Sequence, residues 1–162
     1  MKSKYVHVSI SLDEDLRTMY SFGRVNPDNP FSGGFVQESF MAGVYKKNRD
    51  CECVVYRVKI SEEQYDILVR EIAKFLASHK SFKYNFLGLF AAGMNIPVKR
   101  KKYYFCSQFV SELLIKSNVL NSQSPPEMIR PTDLLGIETK EEVFKGFVWE
   151  YTAFYHKNAA LS

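Results

Sequence analysis

Tyr103-Tyr104-Phe105-Cys106-Ser107-Gln108-Phe109-Val110-Ser111-Glu112-Leu113-Leu114 runs from an aromatic, strand-like start into a helix and puts a thiol at the junction. Phe109, Val110, Leu113 and Leu114 recur at helical spacing and are expected to face a core, leaving the helix start free to face a cleft. A thiol at a helix N-terminus meets unpaired backbone N–H groups and the positive end of the macrodipole. Both favour thiolate, the nucleophilic form. A cysteine nucleophile also needs an imidazole to take its proton, and that partner is usually distant in sequence.

Three histidines compete for that part. His79 ends a charged helical run, Ala77-Ser78-His79-Lys80, and reads as a C-terminal helix residue favoured by the dipole. His156 lies in the tail Tyr155-His156-Lys157-Asn158 and reads as solvent-exposed. His7 differs, because Val6-His7-Val8-Ser9-Ile10-Ser11-Leu12 alternates: residues 6, 8, 10 and 12 form an apolar face, and His7, Ser9 and Ser11 the other. Taken singly, such a histidine is ordinarily solvated and a free cysteine ordinarily inert packing. Together they form a candidate pair.

Other segments add weight to the pair: Met19-Tyr20-Ser21-Phe22-Gly23-Arg24, Asn29-Pro30-Phe31-Ser32-Gly33-Gly34-Phe35, Tyr84-Asn85-Phe86-Leu87-Gly88, Cys106-Ser107-Gln108-Phe109-Val110 and Arg130-Pro131-Thr132-Asp133-Leu134. With them the chain resembles the circularly permuted branch of the NlpC-like, papain-fold cysteine peptidases, the YiiX-like group. Lecithin:retinol acyltransferase is a more distant relative. The order His before Cys marks the permuted branch. The resemblance implies Cys106 as nucleophile and His7 as general base, and a permuted papain-like α+β fold with an antiparallel sheet packed against the nucleophile-bearing helix. Family members place a further strand and short turn before the histidine strand, whereas six residues precede His7 here.

The family's third catalytic member is a polar residue on the second strand. Asp13-Glu14-Asp15 breaks two strand-like runs, 6–12 and 16–22, which read as a hairpin. A turn centred on Glu14 sets His7 across from Ser21, so Ser21 is the carry-over by position. A one-residue change of register would substitute Tyr20 or Phe22.

Composition sets the outer limits. At 162 residues and 46% hydrophobic the chain is expected to form a single domain, 1–162. With 22 basic and 18 acidic residues, net +4, and no zinc-finger or helix-turn-helix spacing, no nucleic-acid partner is expected. The N-terminus passes straight into the histidine strand without an apolar signal-peptide core, and the long apolar run, Phe86 to Ile96, is too short to span a bilayer. Three cysteines are too sparse for a disulfide framework, so the cytoplasm is the expected compartment. Cys51 and Cys53 read as ordinary strand cysteines, since no second Cys or His pair follows at zinc-like spacing. No metal and no cofactor is expected.

The pattern predicts further strands over 35–44 and 51–60, and a helix from the capping box Ser61-Glu62-Glu63-Gln64 to about His79. It also predicts a helical piece over 86–93, the Cys helix over 104–117, a short turn capped by Thr132, and an edge strand over 147–154. Two functional classes follow. The favoured one is a cysteine hydrolase acting on an amide bond of a small peptide, an isopeptide or a murein-derived fragment. The alternative is an acyltransferase or lipid hydrolase. Its support is the apolar run 86–96 followed by Lys99-Arg100-Lys101-Lys102, which together could dock at an anionic membrane. A buried helix and a solvated loop is the favoured account of that stretch, because its apolar positions go all round. A non-catalytic binding module on the same fold is the third reading.

Overall fold

A computed structural model describes residues 6–26, 28–29, 31–86, 88 and 94–159, with the side chains of residues 156, 158 and 159 left aside. The expected helical piece over 86–93 therefore falls mostly outside the described residues, as does the His156 side chain. Three antiparallel strands, β1 (Ile10–Ser11), β2 (Met19–Arg24) and β3 (Gly33–Glu38), form one sheet in that order. A second antiparallel pair joins β4 (Glu52–Val58) to β7 (Lys140–Phe147). A short parallel pair joins β5 (Lys83–Tyr84) to β6 (Tyr103–Tyr104). Four helices complete the described chain: α1 (Gly43–Lys47), α2 (Glu62–Ala77), α3 (Cys106–Lys116) and α4 (Val148–Ala159). The fold is mixed α+β.

Local chemistry explains the two main helices. Ser61 Oγ accepts the Gln64 N–H at 3.2 Å, and the Ser61 N–H donates to Gln64 Oε1 at 2.9 Å, so the capping box starts α2. Leu68, Ile72 and Phe75 then fall on one buried face. In α3, Phe109, Val110, Leu113 and Leu114 are buried as their spacing requires. The core is aromatic. Phe109 packs against Phe22 of β2, Phe35 of β3 and Phe75 of α2, with ring centroids 5.4, 5.6 and 4.9 Å away. That cluster fixes α3 against the three-stranded sheet and so positions its first residue, Cys106.

Three expectations are corrected. The strand expected over 35–44 ends at Glu38, because Ser39 turns the chain: its Oγ accepts the Met41 N–H at 3.2 Å, and its carbonyl accepts the Ala42 N–H. Gly43, at φ +57°, then opens α1 in a conformation that favours glycine. The edge strand expected over 147–154 is helix α4 from Val148, with the strand lying before it. The Phe147 N–H donates to Glu150 Oε2 at 2.8 Å, and Val148 and Tyr151, three apart, are the buried pair. Thr132 makes no side-chain cap; Asp133 Oδ2 instead accepts the Arg130 N–H at 2.8 Å and holds that turn.

Candidate active site

Cys106 is the first residue of α3, after Phe105 in an extended conformation. The first intrahelical bond is made by the Phe109 N–H to Phe105, at 3.0 Å, so the amides of residues 106–108 precede the helical ladder. No side chain caps them. Cys106 is only 3% exposed, which corrects the expectation that the helix start opens freely onto a cleft. The sulfur sits beneath His7, and the His7 side chain, 32% exposed, forms the accessible face of the pair.

His7 is hydrogen-bonded to a carboxylate, and Cys106 lies close enough to act on its ionisation. That carboxylate is Glu38, the last residue of β3, whose Oε1 and Oε2 lie 3.0 and 3.1 Å from His7 Nε2. Ser9 Oγ donates to Glu38 Oε2 and so holds the carboxylate in place. Burial first, and then the Glu38 charge, push the phenol of Tyr45 in α1 up, so it stays neutral. Burial by itself would lower the His7 pKa. The hydrogen bonds to Cys106 and Glu38, with the charge of both, outweigh it and push the imidazole up to about 10. His7 therefore holds its second proton at neutral pH. A protonated imidazole against a helix-start thiol is the setting in which cysteine nucleophiles are activated.

Gly23 makes room for this convergence. A Cβ there would lie 3.2 Å from Glu38 Oε1, closer than an ordinary contact, and 3.5 Å from His7 Cε1, in ordinary contact, so a side chain would press on the carboxylate. Beside Glu38, along the open edge of β3, lies a cavity of about 260 Å³ lined by residues including Arg24, Gln37, Ser39 and Tyr45. A hollow of about 340 Å³ at the start of α2 touches none of these residues except by distance in the fold, being lined by Ile60, Ser61, Glu62, Tyr65 and Asp66.

Ser21 is not the group that meets the imidazole. The β1–β2 register pairs Ile10 with Tyr20 and Ser11 with Met19, two residues on from a turn centred on Glu14. Extended, it sets Ser9 rather than His7 opposite Ser21. Ser21 is fully buried, and its Oγ donates to the Val8 carbonyl at 2.7 Å, which anchors the backbone next to His7. Glu38, which does meet the ring, carried no signal of its own in the sequence. Within a strand assumed to run to residue 44 it shared the alternation of Gly34 and Val36 and nothing more.

The remaining candidates fall elsewhere. His79 Nδ1 contacts the Leu76 carbonyl at 3.0 Å at the end of α2, and is exposed. Cys51 is exposed and Cys53 half-buried, both as free thiols; burial and then the neighbouring Cys51 push Cys53 up to about 11. Among the described residues no cluster of three or more His, Cys, Asp or Glu side chains is placed to hold a metal ion, and no helix is long and apolar enough to cross a membrane. Comparison with family models, with curated proteins and with solved structures found no match.

Proposed function

We propose that the chain is a cysteine hydrolase of the permuted papain-like type, cleaving an amide bond in a small peptide or isopeptide, with Cys106 as nucleophile, His7 as acid and base, and Glu38 as the orienting group. One observation carries this reading: His7, hydrogen-bonded to the half-buried Glu38 carboxylate, has the thiol at the start of α3 for a neighbour. Cys106 Sγ attacks the substrate carbonyl carbon, and the oxyanion formed is met by the amides at the start of α3. Protonated His7 then gives its proton to the amide nitrogen as the C–N bond breaks and the amine departs. In the second half His7 takes a proton from water, the resulting hydroxide adds to the thioester carbonyl, and the C–S bond breaks to release the acid and restore the Cys106 thiolate beside protonated His7. Glu38 keeps the ring aimed through both halves and stabilises its positive charge.

The test is selective alkylation followed by a substrate panel. Iodoacetamide should modify Cys106 well before Cys53, and His7→Ala should slow that reaction about tenfold or more near neutral pH. Amide, ester and thioester substrates assayed with the wild type and with Cys106→Ala then define the chemistry. Equal labelling of all three thiols, insensitive to His7, would favour the binding-module reading instead.

A second reading, a lipid hydrolase or acyltransferase, gains from one observation. Phe86, Met94 and Ile96 are 51%, 59% and 48% exposed, so those positions of the run 86–96 are not core. Leu89 and Phe90, also expected to be buried, lie outside the described residues.

A further inference from the structure

The exposed apolar side chains near the site are not scattered. The hairpin loop between β2 and β3 carries Val25 and Phe31, 61% and 85% exposed. The glycines that begin β3 bring the loop against its neighbours: a Cβ at Gly34 would lie 3.3 Å from Val25 Cγ2, and one at Gly33 would lie 3.4 Å from the Phe86 ring. Phe86 packs against Tyr84 of β5 with the rings tilted, 4.6 Å between centroids. From β5 the surface continues to β6, where the Lys83 N–H donates to the Lys102 carbonyl at 2.9 Å. Lys83, Lys99, Lys101 and Lys102 are all exposed. Val25, the start of β3, Phe86 and Tyr84 thus lie together, and the exposed lysines belong to the adjoining β5–β6 pair and the chain leading into it. Tyr84 pairs with Tyr104, two residues before Cys106, which sets the β5–β6 edge beside the candidate site.

Charge along the chain singles out the same region. Residues 72–111 contain seven Lys or Arg and no Asp or Glu, whereas the whole chain is only +4, so the rest of it sums to −3. Asp28, the acid on the hairpin loop, is paired with Lys47. Cationic side chains alone would suit any polyanion. Aromatic and aliphatic side chains exposed among them suit a surface that offers both negative headgroups and hydrocarbon, and a soluble protein rarely carries such a patch without a use.

We propose that the β2–β3 hairpin tip and the β5–β6 edge dock on an anionic lipid bilayer, with Val25, Phe31 and Phe86 entering the acyl boundary and the lysines at 83, 99, 101 and 102 meeting the headgroups. Docking in this orientation turns the side of the molecule next to Cys106 toward the membrane, so amides or esters of membrane-bound molecules become accessible to it. The docking itself does not depend on the chemistry at Cys106.

Vesicle co-sedimentation of the full chain as Cys106→Ala tests docking apart from catalysis. Binding to phosphatidylcholine vesicles containing about 30% phosphatidylserine should exceed binding to pure phosphatidylcholine about tenfold or more, and should weaken as salt rises from about 0.05 to about 0.5 M. Phe31→Ser with Phe86→Ser, and separately Lys99→Gln, Lys101→Gln and Lys102→Gln together, should each reduce binding about tenfold or more. These side chains are exposed, and an unchanged thermal transition in each variant certifies its fold. No preference for anionic vesicles, or binding that survives both sets of substitutions, would overturn the proposal. Tight binding to a nucleic acid with none to vesicles would overturn it too, and would assign the basic surface to a polyanion.

Discussion

His7 carries the functional argument because two neighbours, Glu38 and Cys106, act on its ionisation. Its raised pKa, about 10, comes from Cys106 and Glu38 overcoming burial, so removing the Glu38 charge should lower it. Glu38→Gln keeps the size and much of the hydrogen bonding. It should move the alkaline limb of the pH–rate profile to lower pH and reduce kcat/KM by about 10- to 100-fold. Histidine Cε1–H chemical shifts read the same midpoint without substrate. A His7 midpoint that does not move would remove Glu38 from the proposed machinery. Cys106 and His7 could be nominated from sequence because each stands in a local pattern, a helix start and an apolar alternation; the strand expected over 6–12 is only Ile10–Ser11, so His7 itself precedes β1. Glu38 could not, because what distinguishes it is a meeting across 31 positions of chain.

Elements behave according to how local their causes are. α2 and α3 were legible because caps and i to i+4 faces are written within a few residues of one another. The ends of β3 and β7 were not, because apolar alternation continues past both of them. Ser39 in one case and the Glu150 contact in the other redirect the chain. The join between sheet and α3 is an aromatic cluster around Phe109, which is fully buried. Phe109→Ala should destabilise the protein by about 3–5 kcal/mol, read from the urea midpoint. Labelling of Cys106 should lose its selectivity in parallel, because the helix start is held through that contact. A loss below about 1 kcal/mol would mean that the cluster does not support α3.

The whole molecule should show two pH-dependent contributions with opposite signs. His7 binds its proton more tightly when folded, so its contribution is fully present below about 6.5 and is lost as pH rises toward about 10. Glu71 is pulled the other way: burial opposes ionisation, but Lys74 and Lys116 outweigh it and hold the carboxylate below its usual 4.5. Its contribution is present above that value and is lost as pH falls through the lowered one. Urea midpoints followed from pH 5 upward should therefore decline on the alkaline side in the wild type, and His7→Ala should flatten that decline. An identical slope in both proteins would contradict the His7 assignment. The amino-acid sequence by itself determined the α+β character, the two main helices with their buried faces, and the thiol at a helix start, because periodicity and capping act over a turn or two of chain. Only the tertiary structure decided that Glu38 rather than Ser21 meets His7, that Cys106 lies almost buried, and that Phe86 stands in solvent. Strand register and burial are settled by packing among residues far apart in sequence, where a shift of two positions exchanges one partner for another.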